Sequence, residues 1–316
     1  MAAFAVAFVA ANRTELPAAW RTARHADGRW LAVIAALSLA GLVNHSRLHA
    51  VAQRAAGVPL APRRAMRLSC AAFFFNMVTK SGGMAGLAPF VADARRRGQG
   101  RGPTVAGYVL ASVLGELAFA LTLAAALVIV AADGRLTRGE MIAGAAFAVL
   151  LAARLGAVVA ALRSRDAIRR LYGWPRRLVA AVRRRPPRPT DPAPADELHD
   201  ALGLLRRRPR ALAPAVGHAL AVEVLGIAML AAALAAVHSP HSPAEALVAY
   251  AVSVLFTIVG VLPGGLGFVE ASLGAVLVSF GSPLAEATAT VALYRIGELW
   301  LPLAIGAVAT RLKGAA

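Results

Sequence analysis

Four charged side chains fall well inside long apolar runs: Glu116, Glu223, Arg295 and Glu298. A charge at a bilayer centre costs at least about 2.5–3.5 kcal/mol on insertion scales, so such residues face a protein interior and find partners. Arg295 and Glu298 are three residues apart, on one helix face. They can neutralise each other, or Arg295 can meet an anionic group while Glu116 and Glu298 form a carboxylate pair. Such a pair would bind a cationic group or carry a proton. Backbone chemistry is the second signal. Val261-Leu262-Pro263-Gly264-Gly265-Leu266-Gly267-Phe268-Val269-Glu270 interrupts an apolar run, and Lys80-Ser81-Gly82-Gly83-Met84-Ala85-Gly86 does the same earlier. A broken helix exposes unpaired N–H groups and the positive end of a dipole, both of which attract anions. Glycine lets a ligand approach the backbone closely. Gly82, Gly83, Gly264, Gly265 and Gly267 are therefore candidates for holding a phosphate or carboxylate; the alternative is that they only let helices pack closely. Glu270 either caps the outgoing helix or touches the ligand. Pro263 is expected to end the incoming arm. Asn76, Lys80 and Glu223 are lesser candidates.

These residues need elements to hold them. The 316 residues are 59% hydrophobic with a mean hydropathy of +0.64, and several apolar runs exceed eighteen residues. A bilayer core takes about 20 apolar residues as helix, so the expected class is all-α, a polytopic helical membrane protein. The weak ten-residue alternation of a closed barrel is absent. The net charge of +18 lies in short loops between apolar runs, which fits the positive-inside rule rather than a nucleic-acid partner. A single cysteine, Cys70, excludes an internal disulfide and a cysteine metal cluster. The histidines near predicted helix ends, His45, His49, His238 and His241, are not read as a metal site, and His218 is read as a satisfied polar residue. No nucleotide loop, dinucleotide fingerprint, Gly-x-Ser-x-Gly or His-Glu-x-x-His is present, so neither an enzyme nor a cofactor is expected.

Residues 2–11 are apolar but too short to cross, which implies a tilted first span or one truncated at the N-terminus. Spans are expected at 30–50, 104–132, 141–162, 211–237 and 284–310. Two segments, 65–97 and 244–281, each hold two short apolar arms around a glycine-rich break and read as re-entrant hairpins. Such backbone is tolerated at depth only where protein or a polar cavity covers it. Arg154 is expected to snorkel to a basic membrane edge, and Asp93, beside Arg95, Arg96 and Arg97, reads as a solvated charge. The arginine- and proline-rich 163–210 segment reads as a linker between a first membrane half, 1–162, and a second, 211–316. Placing that linker, the loops 51–67 and 92–103 and the C-terminus inside gathers 24 of the 34 basic residues on the cytoplasmic side. The first hairpin then enters from the cytoplasm and the second from outside. An offset of 182 residues places Gly82 on Gly264, Gly83 on Gly265, Gly115 on Gly297 and Glu116 on Glu298 without a gap. The halves thus read as inverted repeats, a plan recurrent in transporters, with the substrate site near the midplane.

The run Leu262-Pro263-Gly264-Gly265-Leu266-Gly267-Phe268-Val269-Glu270-Ala271, followed by Leu293-Tyr294-Arg295-Ile296 and Trp300-Leu301-Pro302, resembles the lysylphosphatidylglycerol synthase transmembrane-region family. That family shows a Pro-Gly-Gly-x-Gly-x-x-Glu segment, then a Tyr-Arg helix ending in a Trp-Leu-Pro type of turn. The resemblance implies a cell-membrane domain that translocates lipids, with Gly264, Gly265, Gly267, Glu270 and Arg295 as motif positions. Its partners would be membrane phospholipids, a second copy of the chain, or a separate lipid-modifying enzyme. The first break departs from the commonest family form, having no acid in Ser81-Gly82-Gly83-Met84-Ala85-Gly86. No soluble aminoacyl-transfer domain follows the last span in this sequence, so lysyl-lipid synthesis is not expected of it. The expectation is a lipid flippase moving an anionic or zwitterionic lipid. The alternatives are an ion-coupled carrier of a small polar solute and a lipid-binding accessory of a glycolipid or cell-wall pathway.

Overall fold

The computed structural model describes residues 26–79, 81, 83–132, 138–166, 193–207, 209–260 and 262–311. The described residues are helical with no strand. The chain runs through α1 (Gly28–Ala55), α2 (Pro62–Val78), α3 (Leu87–Arg96), α4 (Arg101–Ala132), α5 (Arg138–Arg163) and α6 (Ala193–Arg207). It continues through α7 (Ala213–Ala236), α8 (Pro243–Val259), α9 (Phe268–Ser279), α10 (Leu284–Arg295) and α11 (Leu301–Arg311). A π-helical turn, Ile296–Trp300, joins α10 to α11 without a bend into loop. Among the described residues, five helical stretches are long and apolar enough to cross a membrane: Gly28–Ala55, Arg101–Ala132, Met141–Arg163, Ala213–Ala236 and Leu284–Arg311. These match the expected spans closely. Large apolar side chains point outward along them, among them Leu121, Val128, Ile142, Val149 and Val224, as in helices solvated by acyl chains.

Local chemistry sets where the helices start. Asp27 caps α1 by accepting from Arg29 N at 2.9 Å. Pro62 opens α2 at a position where its missing N–H is no loss. Ser242 and Glu245 cap α8 reciprocally, each side chain accepting from the other's backbone N–H. The four short helices form two packed pairs, α2 with α3 and α8 with α9, each joined by a glycine-rich break. The longer arm of each pair has 17 residues, about 25 Å of rise, which is less than a bilayer core. In both pairs the two outer ends come together. Arg64 and Arg67 of α2 face Asp93 of α3, and Ser239 before α8 meets Ser282 after α9 at 3.1 Å between hydroxyls.

Around these pairs α7 lies along α1, α11 lies along α2, and α4 touches α1, α7 and α8. The crossing of α11 over α2 depends on Gly306: a β-carbon there would sit 2.6 Å from the Cys70 carbonyl oxygen. One apolar core joins α1, α7, α8, α9 and α10 through Ile34, Leu230, Leu234, Leu273 and Tyr294. A second joins α4 and α5 to α8 through Phe119, Leu123, Phe147 and Leu255, binding residues before and after the linker into one body. Much of the expected linker lies outside the described residues. Its last part is the amphipathic α6, whose Leu198, Ala201 and Leu202 pack on α4, while Glu197 accepts from Gly102 N at 3.0 Å.

Candidate functional site at the second glycine-rich break

The break begins where α8 ends, at Gly260, whose N–H reaches Phe256 O at 2.9 Å. Pro263 lies beyond this end, inside the turn, so glycine rather than proline closes the incoming arm. Gly264, Gly265 and Gly267 all have φ between 65° and 82°, the left-handed region where a β-carbon is strained. At Gly265 space forbids one as well: it would lie 2.7 Å from Val269 Cγ2. This backbone turns the Gly264 carbonyl out of any helical ladder, so it needs a donor from elsewhere.

Arg295 supplies it. The residue is 2% exposed, and its planar fork is used in three directions. Nη2 donates to Gly264 O, Nε to Glu270 Oε1 and Nη1 to Glu298 Oε2, each at 2.8 Å. The other carboxylate oxygen of Glu270, Oε2, accepts from the Gly267 N–H and so caps α9. Both readings of Glu270 as a cap and of Arg295–Glu298 as a local pair therefore hold at once. Glu298 sits in the π turn, a form that recurs at functional sites. There Ser38 Oγ donates to the Gly297 carbonyl oxygen at 2.6 Å. Trp300-Leu301-Pro302 continues into α11 and is not the turn expected from the family pattern. The cluster holds one guanidinium and two carboxylates, an excess of one negative charge.

The candidates divide into groups. Gly264, Gly265, Gly267, Glu270, Arg295 and Glu298 form this one cluster. Glu223, 6% exposed, sits on α7 with the Thr122 and Tyr250 hydroxyls beside its carboxyl group and Oε2 unpaired. Tyr250 is within electrostatic range of both Glu223 and Glu298, and Ser253 Oγ links its carbonyl to the Tyr294 hydroxyl. Glu116 does not join Glu298. It pairs with Arg154 of α5, which reaches inward across the helix interface instead of snorkelling to the membrane edge. Asp93 is 5% exposed and ringed by Arg64, Arg67 and Arg97, so it is a buried ion-pair centre and not a solvated charge. His218 is satisfied as expected, its Nδ1 lying 2.7 Å from Asn44 Oδ1.

At the first break Lys80 and Gly82 lie outside the described residues. Gly83 has a φ of 81°, and Tyr108 of α4 donates to its carbonyl at 2.6 Å. Asn76 completes the lock: its Oδ1 accepts from Gly86 N at 2.6 Å and its Nδ2 donates to Tyr108 Oη at 3.1 Å. Ser81 Oγ accepts from Ala85 N at 2.8 Å. The tips of the two pairs approach each other. α2 packs on the Pro263–Gly265 turn, and a β-carbon on Gly264 would lie 3.7 Å from Met77 Sδ. Tyr108, Arg154 and Ser38 were not among the sequence candidates. For Tyr108 the available signal was a polar-tipped aromatic inside an apolar span. Arg154 showed as a charge inside an apolar span, but its partner lies 38 residues away, and Ser38 acts on a distant partner with no local signal.

Five helical stretches long and apolar enough to cross a membrane, with a buried charged cluster at a glycine-rich break between two shorter helices, define a multi-pass membrane protein. The chain belongs to the lysylphosphatidylglycerol synthase TM region family, whose model matches residues 1–306. Comparison with curated proteins and with solved structures gave no match.

Proposed function

We propose that the chain is a lipid flippase that moves an anionic or zwitterionic phospholipid between the leaflets of the cell membrane. The observation that carries this reading is the Glu270–Arg295–Glu298 cluster on the Gly264 carbonyl, a charged, hydrogen-bonded site where apolar helices are interrupted. Membership of a family of membrane domains from lipid-synthase proteins points the same way. In this reading Arg295 exchanges a carboxylate for the phosphate of the head group, while the tails stay among the outward apolar side chains.

The two packed pairs act as re-entrant hairpins of inverted halves. What supports this is that each pair closes its outer ends on itself while the tips meet near Met77 and Gly264. The arginine-rich outer end of the first pair and the 163–210 linker then lie on the cytoplasmic side with the C-terminus. The protein works without a cofactor and is not an enzyme. Partners beyond lipid would be a second copy or a lipid-modifying enzyme.

The test is leaflet exchange in vesicles carrying acyl-labelled phosphatidylglycerol, with dithionite quenching the outer leaflet. Wild type is expected to expose the inner-leaflet label. Arg295→Lys, which keeps the charge but loses the fork, is expected to slow exchange by about tenfold or more. Exchange that is no faster than in protein-free vesicles would end this reading. The accessory reading draws on the full occupation of Arg295 in this state, and it predicts lipid binding with no exchange.

A further inference from the structure

The outer end of the first pair carries more positive charge than its own residues neutralise. α2 begins at Pro62 with no side chain capping its first turn, and Arg63 and Arg64 stand in that turn. Cations there oppose the positive end of the helix dipole, whereas an anion would be favoured. Among the described residues, Asp93, at the facing end of α3, is the carboxylate that Arg64 and Arg67 face. Arg97 Nε donates to its Oδ2 at 2.9 Å. Arg64 Nε and Arg67 Nη2 stand back at 4.0 and 3.9 Å from the same Oδ1, beyond hydrogen-bond length. Three guanidinium groups thus surround one carboxylate, and two of them converge without closing on it. Their side chains are 40% and 33% exposed, so the gap is open from outside. The corresponding end of the second pair differs in each respect: Ser242 and Glu245 fill the first turn of α8.

We propose that Arg64 and Arg67, braced by Asp93 and Arg97, form a binding site for a negatively charged phosphate group, as borne by an anionic phospholipid at the membrane surface. The fork of each arginine matches a phosphate, and the uncapped first turn of α2, where Arg64 stands, presents the positive end of a helix dipole. Asp93 holds the arginines close together, and Arg97 offsets that carboxylate so that the two outer guanidiniums keep their charge for the ligand. This site lies at the opposite end of the pair from the glycine-rich tip. It does not require that lipid be moved.

Equilibrium binding tests it on the full chain, delipidated in neutral detergent and followed by native mass spectrometry. The probes are dioleoyl-phosphatidylglycerol, dioleoyl-phosphatidylcholine and inorganic phosphate. Wild type is expected to retain phosphatidylglycerol in preference to phosphatidylcholine. The double variant R64Q/R67Q is expected to weaken that retention by about tenfold or more, since it removes two charge-assisted contacts. The control R95Q/R96Q removes equal charge from the exposed end of α3 and is expected to leave retention near wild type. Competition by millimolar phosphate, lost in R64Q/R67Q, supports the same site taking a free phosphate; retention unaffected by phosphate supports a lipid-specific site. Equal weakening in R64Q/R67Q and R95Q/R96Q would overturn the proposal. Unfolding midpoints of each variant keep a loss of binding distinct from a loss of fold.

Discussion

The two glycine-rich breaks solve one problem with different chemistry. In each, a glycine at positive φ turns a carbonyl out of the helical ladder, and a side chain from the helix that follows the pair donates to it. At Gly83 the donor is the Tyr108 phenol, fixed by Asn76, and the lock is neutral. At Gly264 the donor is the Arg295 guanidinium, fixed by Glu270 and Glu298, and the lock is ionic. A neutral donor whose hydrogen bonds are made costs less to bury than a charged one. A guanidinium buried in apolar surroundings demands carboxylates, and removing the guanidinium leaves both of them without their counter-charge. The first lock therefore suits a fixed joint. The second suits a site where an incoming charged group can trade places with a resident one.

The difference is open to attack first at its ionic end. Arg295→Ala strands Glu270, Glu298 and the Gly264 carbonyl together and is expected to destabilise the protein by about 3–5 kcal/mol. Thermal unfolding in detergent measures it. Arg295→Lys should recover only part of the loss, because an ammonium cannot serve three in-plane partners at once. An Arg295→Ala protein as stable as wild type would show that the cluster does not hold the break.

The neutral lock should give a smaller effect of a different character. Tyr108→Phe keeps the ring, which stacks on His49 at 5.2 Å between centroids, and removes only the hydroxyl. The Gly83 carbonyl and Asn76 Nδ2 each lose a partner, for an expected loss of about 1–3 kcal/mol. In leaflet exchange this variant should follow its stability alone, whereas Arg295→Lys should lose exchange beyond its loss of stability. If Tyr108→Phe abolishes exchange at intact stability, the first break is a ligand site too and the contrast fails.

How much of this was written in the sequence depends on whether the signal was local. Gly264, Gly265 and Gly267 were legible because their conformation excludes other residues, and hydropathy located the spans because bilayer thickness fixes their length. The Arg295–Glu298 pair follows from helical spacing, and Glu270 as a cap follows from its third place after Gly267. The Glu270–Arg295 contact joins residues 25 apart, and Tyr108 meets Gly83 across the same separation, so no local rule reveals either. Arg154 and Asp93 were misread for a related reason. Proximity to a membrane edge in sequence suggested solvation, while tertiary packing supplied partners that made burial tolerable. Pro263 looked like a helix terminator, but Gly260 had already ended the helix.

The smallest expected effect concerns the carboxylates that the 182-residue offset superposes. Glu298 takes its arginine from three residues back on its own helix, whereas Glu116 takes Arg154 from α5. The Glu116 and Arg154 side chains are each about a quarter exposed, at 26% and 24%, whereas Arg295 is 3% exposed. Arg154 has contacts besides Glu116, which soften the loss of any one partner. Glu116→Gln, which leaves Arg154 a neutral acceptor in place of the carboxylate, should therefore cost about 1 kcal/mol, less than the loss of Arg295. A double-mutant cycle with Arg154→Gln is expected to return a coupling of similar size. The corresponding cycle on Arg295 and Glu298 should be larger, because Arg295 is the more deeply buried arginine. Equal couplings at both positions would mean that the two halves carry the same electrostatics in different dress, and that the ionic break holds no special place.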